Sequence, residues 1–272
     1  MLEAVGYVRR MRGGAQAHLM RCRDEQGRVE YYVVKFQNNP QHVRILANEL
    51  LASRLAKRAG LPVPPPEVVE VSPGLIEQTA ELSVNIGMQY TPCRPGKQFG
   101  SRYPGLGASL AVQDYLPDEQ LAAVTNLRFF AGVLAVDKWL CNCNGRQAIF
   151  YREEKPPGYR AEFIDFGFCF NAGEWGFPDA PLRGLYPRHR VYDAVRGLGD
   201  FEEWIERIGS ERMRKELGEV AGGIPPEFYE DDFEGLSRLV EQLDRRRKRV
   251  PDLILEASKS DRNPFVNWKS GR

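Results

Sequence analysis

The sequence lacks the long apolar runs and the charge imbalance that mark several large protein classes. No apolar stretch reaches the roughly 20 residues that a membrane-spanning helix requires. Lys and Arg together number 38 and Asp and Glu 37 in 272 residues, so no overall field attracts nucleic acid or an anionic membrane. The opening residues, MLEAVGYVRR, contain no apolar stretch after a charged start and do not resemble a secretory signal. We therefore expect a cytoplasmic protein that acts neither in a membrane nor on nucleic acid.

Cysteine and histidine are also scarce. The five cysteines are odd in number and scattered, which argues against a disulfide framework. Cys141 and Cys143 form a C-x-C motif, but no second ligand pair lies nearby, and the three histidines show no ligand spacing. This pattern favours small buried thiols over a zinc site.

The first third of the chain is typical of an antiparallel sheet with one helix. Runs of β-branched and aromatic residues are separated by short turns that contain glycine, and one longer segment has apolar residues at helical spacing. The predicted strands span residues 4–11, 17–22, 31–36, 68–71 and 83–90, and the predicted helix spans 43–59.

Helical patterns dominate the remainder. Apolar residues at helical spacing fill 118–139, and an amphipathic helical tail runs from about 190 to 258. The segment 91–107, rich in proline and glycine, marks the change of character. We predict an α+β, two-lobed fold: an N-lobe, residues 1–91, with an antiparallel sheet and a helix, and a mainly helical C-lobe, residues 92–272, with a hairpin at about 141–167.

Lys35 stands out because it lies inside an otherwise apolar strand. A lysine on the buried face of a sheet requires a partner for its charge, and Glu49, near the apolar stripe of the following helix, could supply it. A paired lysine held at such an interface can contact the phosphates of a nucleotide. Two alternatives remain open at this stage: an outward, solvated Lys35, or an ion pair with a structural role only.

Two neighbouring glycines, Gly13 and Gly14, fall at the turn before the lysine strand. Glycine allows backbone N–H groups to approach phosphate oxygens closely. The loop matches neither the dinucleotide-binding nor the Walker glycine pattern, and an ordinary hairpin turn explains the pair equally well.

Asp165 follows an apolar strand and precedes Phe166 and Gly167, which places a carboxylate at a turn. Such a carboxylate is a hard oxygen ligand suited to Mg²⁺ bound to nucleotide phosphates. The preceding polar loop contains Asn142 and Asn144, which could bind a metal, orient a hydroxyl, or cap the end of a helix.

Taken together, these residues resemble the HipA-like kinases, and more distantly the phosphoinositide kinases, over about residues 5–170. The resemblance implies a protein-kinase-like fold that binds ATP and Mg²⁺. It implies that Lys35 and Glu49 are the phosphate-binding lysine and its helix partner, that Gln89 lies in the hinge that contacts adenine through its backbone, and that Asp165 binds the metal.

The loop from Asp137 to Gln147 resembles the catalytic loop of these kinases. The resemblance implies that Asn142 and Gln147 assist the metal. It implies that Asn144, Asp137 and Arg146 orient the phosphate acceptor and balance charge.

One position departs from the family pattern. These kinases usually carry an aspartate where this chain has Asn144, and an amide cannot accept a proton at neutral pH. Loss of a general base lowers a rate by about 10²–10⁴-fold. Two functions therefore remain open: an ATP- and Mg²⁺-dependent phosphotransferase acting on an unknown protein or small-molecule hydroxyl, and a pseudokinase that binds nucleotide as a scaffold or regulatory module.

A run of five cations at 245–249 is a further candidate for phosphate contact. Glu241 and Asp244 lie just upstream and interrupt any continuous basic stripe. The pattern favours a solvated helix end, where cations complement the helix dipole.

Overall fold

The computed structural model describes residues 2–105, 111–154 and 157–269. It is a mixed structure in which most strands precede most helices. The strands are β1 (Leu2–Arg10), β2 (His18–Arg23), β3 (Val29–Lys35), β4 (Pro66–Val71), β5 (Ser83–Ile86), β6 (Gln89–Pro92), β7 (Gly96–Arg102), β8 (Gln147–Glu154) and β9 (Pro157–Ile164). The α-helices are α1 (Arg44–Arg58), α2 (Pro73–Glu77), α3 (Asp118–Leu121), α4 (Phe129–Leu140), α5 (Glu202–Gly209), α6 (Glu211–Gly222), α7 (Phe233–Arg246) and α8 (Val250–Ser258).

Five of the strands close into a barrel in the order β1-β2-β3-β7-β4. Four of the five pairings are antiparallel, whereas β1 and β4 pair in parallel through Leu2 and Val69. A ring with an odd number of strands cannot alternate in direction throughout, so the predicted all-antiparallel sheet is corrected at this pairing. The closing strand β7 lies beyond residue 91, within the segment that the sequence assigned to the C-lobe.

Two predicted elements are divided in the structure. Residues 83–90, predicted as one strand, belong to the hairpin β5–β6, which turns at Gly87 with a φ of +63°. Residues 118–139, predicted as one helix, form α3 and α4 with turns between them. In both places the apolar pattern is correct and the break in the backbone is missed.

The apolar side chains form two separate cores. One fills the barrel and includes Met20, Val34 and Val69. The other is built from α1 and the helices that follow the barrel. Helix α1 directs Leu50 and Leu55 into this second core, which holds the helix against the helical part of the chain. The helix also contacts strands β4 and β7 of the barrel.

The basic run ends α7, and two of its cations are buried. Arg246 pairs with Asp179, and Arg247 pairs with Asp244. These two guanidinium groups are therefore used within the protein. No helix in the three described ranges is both long and apolar enough to cross a bilayer.

Candidate active site

A cavity of about 340 Å³ lies between the barrel, α1 and the β8–β9 hairpin. Seven of the residues singled out in the sequence line it, namely Gly13, Gly14, Lys35, Glu49, Asn144, Gln147 and Asp165. Four others do not line it, namely Gln89, Asp137, Asn142 and Arg146. The fold therefore brings together residues that are up to 152 positions apart in the chain, Gly13 and Asp165 among the most distant.

Lys35 lies at the centre of an ion triad in this cavity. Its Nζ donates to Glu49 Oε1 and, at 2.7 Å, to Asp165 Oδ1. The lysine side chain is only 12% exposed and that of Glu49 only 2%. Strand alternation directs the Lys35 side chain towards α1 and towards the turn that follows β9. This excludes the alternative in which Lys35 points outward into solvent.

The three charged groups of the triad shift one another's pKa values. Burial alone would lower the pKa of Lys35, but the carboxylates of Glu49 and Asp165 outweigh it and raise that pKa. Burial raises the pKa of Glu49, and Lys35 offsets this only in part. For Asp165 the attraction of Lys35 exceeds the effect of burial, so its pKa is lowered. The site therefore holds a charged ammonium and an ionised Asp165 at neutral pH.

The turn that carries Asp165 has a demanding backbone. Asp165 adopts a φ of +62°, a left-handed conformation unfavourable for a residue other than glycine. The next amide, Phe166 N–H, donates to Glu49 Oε2 at 2.9 Å, which fixes the turn against α1. A Cβ atom on Gly167 would lie 2.8 Å from Ile45 Cγ2, so this position accommodates no side chain.

Asp137 and Arg146 form a buried ion pair beneath the cavity and do not face it. Both side chains are fully buried, and Arg146 Nε donates to Asp137 Oδ2 at 2.8 Å while its Nη2 donates to Oδ1. Arg146 Nη1 donates to the Ile164 carbonyl at 2.6 Å, and its guanidinium stacks on the Phe166 ring. The expected role of both residues in orienting an acceptor is thus corrected: they support the turn from below.

The two asparagines of the loop differ in access. Asn142 is buried; it donates to Asp137 Oδ1 and accepts from Asn144 N–H, so it shapes the loop and offers no oxygen to the cavity. Asn144 lines the cavity, and its Oδ1 accepts from Gly145 N–H at 2.8 Å. Gln147 donates to Asp165 Oδ2 at 2.6 Å. Of the two amides assigned to the metal, only Gln147 reaches Asp165.

The expected hinge residue lies elsewhere. Gln89 is exposed in the β5–β6 hairpin and pairs with Ile86. The cavity is instead lined by Ser101, Arg102 and Tyr103, at and just beyond the end of β7. The assignment of Gln89 is therefore corrected: the segment that reaches the cavity is the end of β7, which the sequence analysis took as part of the boundary between the lobes.

Two features of the cavity were not anticipated. Arg12 precedes the glycine pair and lines the cavity with an exposed guanidinium; its position next to Gly13 was a usable signal. An apolar wall includes Val33, Ile149 and Phe163. The cavity is thus lined both by charged and glycine residues and by an apolar wall that suits a flat group.

The residues present fit a hard divalent cation that is shared with a ligand. Asp165, whose side chain is 24% exposed, and the neighbouring Gln147 have side-chain oxygens that could serve as ligands beside Lys35. Mg²⁺ usually takes one or two protein carboxylates together with substrate phosphates. No group of three or more His, Cys, Asp or Glu side chains within residues 2–105, 111–154 and 157–269 forms a metal cage of its own.

Comparison with solved structures shows a kinase fold. A Helicobacter pylori proinflammatory kinase, CtkA, matches with a TM-score of 0.58 and 14% identity over 94% of this chain and 95% of that one. The Golgi casein kinase matches with a TM-score of 0.56 and 12% identity over 95% of this chain and 74% of that one. A second structure of the Golgi casein kinase, described with Mn/ADP bound, matches with a TM-score of 0.54, 14% identity and the same shares of the two chains.

Comparison of the sequence alone agrees with the fold. No curated protein matches the chain. The sequence profile described as HipA-like kinase matches residues 5–153, a range that includes the glycine pair, the lysine, its glutamate partner and the loop with Asn144. Because this range is more than half of the chain, the protein belongs to the HipA-like kinase family.

Proposed function

We propose that this protein is an ATP- and Mg²⁺-dependent phosphotransferase that acts on a hydroxyl group of a protein or small molecule. The observation that supports this most directly is the triad in which Lys35 Nζ binds Glu49 and lies 2.7 Å from Asp165 Oδ1. Phosphoryl transfer depends mainly on positioning and on stabilisation of charge, and the triad brings the required charges to one end of the cavity.

The roles of the residues follow from their places in the cavity. Lys35 holds nucleotide phosphates, with Arg12 and the backbone of Gly13 and Gly14 above them. The apolar wall formed by residues such as Phe163 accommodates the base. Asp165 and Gln147 would hold Mg²⁺, and a bound Mg²⁺ would supply positive charge next to the phosphates.

The division of the protein into two lobes and its place in the cell are part of the same proposal. The two apolar cores support a reading of the barrel and the helical part as the two lobes of a kinase, with the cavity between them. We place its action in the cytoplasm, in line with five cysteines that are all free, and leave nucleic acid and membranes out of its partners.

A second candidate, a pseudokinase, is favoured by one observation. Among the described residues that line the cavity, the only carboxylates are Glu49 and Asp165, and both bind Lys35. Asn144 stands at the edge where an acceptor hydroxyl would enter. Such a cavity can bind nucleotide and yet lack a base for the acceptor proton.

Nucleotide binding separates these candidates from an inactive fold. Thermal unfolding is measured with ATP, with and without Mg²⁺, for the wild type, Asp165→Ala and the control Glu241→Ala, an exposed acid on α7. We expect a Mg²⁺-dependent rise in Tm for the wild type and the control that Asp165→Ala loses. Equal responses of all three proteins would refute the assignment of Asp165.

Turnover then separates the enzyme from the scaffold. Release of ADP and transfer of the γ-phosphoryl group, by autophosphorylation or to added acceptors, are followed with Mg²⁺ present. Turnover that Asp165→Ala abolishes supports the phosphotransferase. Nucleotide binding without turnover supports the pseudokinase.

A further inference from the structure

Asn48, which precedes the triad residue Glu49 on α1, has a fully buried side chain with every polar atom in use. Its Nδ2 donates to the carbonyl oxygens of Gly167 at 2.8 Å, Cys169 at 3.1 Å and Ala172 at 2.8 Å. Its Oδ1 accepts from Trp175 Nε1 at 2.8 Å. A single carboxamide therefore holds four points of the segment that follows the Asp165 turn.

That segment has an unusual backbone. Phe170, Asn171, Ala172 and Trp175 all have φ values between +51° and +59°. L-residues rarely adopt this conformation, and a chain keeps it only when surrounding contacts enforce it. We call residues 170–175 the left-handed arc; the bonds from Asn48 reach Gly167 and Cys169 just before it, Ala172 within it and Trp175 at its end.

The arc is connected directly to the carboxylate assigned to the metal. Gly167, whose carbonyl Asn48 binds, is two residues from Asp165. Glu49 holds the other side of the same turn, through Phe166 N–H and through Lys35. Two successive residues of α1 thus fix the turn on both sides of its tightest contact, where Gly167 lies against Ile45.

We infer that Asn48 is a positioning residue for Asp165: through the left-handed arc it keeps the Asp165 carboxylate in the orientation that meets Lys35 and Gln147. The inference rests on the proposed function, because it assigns the metal to Asp165. Without the carboxamide, the carbonyl groups of Gly167, Cys169 and Ala172 lose this donor, and the arc relaxes to conformations that L-residues favour. The turn then no longer presents Asp165 at one fixed angle to the cavity.

A residue with only a structural role would change stability but not the response to metal. The quantity that separates the two roles is the ratio of ATP dissociation constants measured in EDTA and in Mg²⁺. Lys35, the glycine pair and the apolar wall contribute to ATP binding with or without metal, whereas Asp165 contributes through Mg²⁺. Asn48→Ala should therefore lower the ratio and leave the constant measured in EDTA unchanged.

The experiment uses the full chain and isothermal titration calorimetry with ATP. Wild type, Asp165→Ala, Asn48→Ala and Leu239→Ala are compared. Leu239, buried on α7 away from the cavity, provides a destabilised control. We expect Asn48→Ala to lower the ratio by about 10–100-fold, the usual effect of removing a group that orients a metal ligand, and to leave the constant in EDTA unchanged. Leu239→Ala should keep the wild-type ratio.

The outcomes separate the two proposals. A wild-type ratio that Asp165→Ala abolishes and Asn48→Ala retains overturns the inference and leaves the proposed function intact. A wild type whose ATP binding does not respond to Mg²⁺ overturns both. If Asn48→Ala does not fold, Asn48→Ser, whose hydroxyl can donate to one carbonyl only, is measured against the same criterion.

Discussion

Asp137→Asn removes one charge from the buried pair beneath the cavity while preserving the size of the side chain. Asp137 accepts from Nε and Nη2 of Arg146, and both side chains are fully shielded from water. Removing one partner of such a pair leaves a buried charge uncompensated and costs about 3–5 kcal/mol. Domains of this kind unfold with about 5–15 kcal/mol in total, so we expect a large fraction of the stability to be lost.

The remaining contacts of Arg146 reduce the loss only in part. Its Nη1 still donates to the Ile164 carbonyl, and its guanidinium still stacks on Phe166. Neither contact supplies a negative charge. In the double variant Asp137→Leu with Arg146→Met no buried charge is left unpaired, so its unfolding free energy should fall by less than that of Asp137→Asn.

Urea unfolding followed by circular dichroism measures these differences. The control is Glu241→Gln, which breaks the exposed pair with Arg245 and should change the unfolding free energy by less than about 1 kcal/mol. ATP affinity of folded Asp137→Asn, measured in EDTA, should remain close to that of the wild type, because Asp137 does not line the cavity. A stability change under about 1 kcal/mol together with a loss of turnover would refute this reasoning and make Asp137 catalytic.

Three further predictions concern other parts of the chain. Burial lowers the pKa of His18 to about 4, so the unfolded chain binds more protons than the folded one between about pH 4 and 6.5. As the pH falls through this window, the unfolding free energy of the wild type should fall by up to about 3 kcal/mol relative to that of His18→Gln. Urea unfolding at each pH measures this difference. Gln16 exchanges two hydrogen bonds with the backbone of Asn85 and so anchors the glycine loop to the β5–β6 hairpin; Gln16→Ala should weaken ATP binding roughly 10-fold by calorimetry, and an unchanged affinity would show that the hairpin does not support the loop. Asn144→Asp restores a carboxylate at the mouth of the cavity and should raise phosphoryl transfer from labelled ATP by about 10²–10⁴-fold; no increase would place the base elsewhere.

The residues of the triad could be predicted because each has a local signal. Lys35 interrupts an apolar strand, Glu49 lies beside an apolar helical stripe, and Asp165 precedes Phe166 and Gly167 at the end of a strand. Strand alternation and helical spacing depend on neighbours in the sequence. The family resemblance supplied the order of these elements, and the fold confirms that they converge.

The closing strand of the barrel could not be predicted from the same signals. Strand β7, Gly96–Arg102, contains two glycines and four polar or charged residues among its seven, a poor pattern for a strand. Gln98 is nevertheless fully buried and binds the backbone of Gln37 and Arg94. Its stability as a strand comes from the two neighbours that it joins, β3 and β4, and no local rule contains that information.

The pair of Asp137 and Arg146 was misassigned for a related reason. They lie nine positions apart, and the chain reverses between them at Cys141, which caps the end of α4 with a φ of +50°. That reversal directs both side chains inward to each other. A left-handed cysteine has no sequence signature, so charged residues near a polar loop were taken as residues of the open site.

The remaining choice between enzyme and scaffold depends on a residue that the triad does not touch. Asn144 accepts from Gly145 N–H, and its own N–H donates to Asn142; neither contact involves Lys35, Glu49 or Asp165. Exchange of an acid for an amide at this position can therefore remove a proton acceptor without disturbing the charges that bind phosphate and metal. Because Glu49 joins α1 to the Asp165 turn, a nucleotide that engages Lys35 would still act on the contact between helix and turn, so a chain without turnover would retain the means to respond to nucleotide.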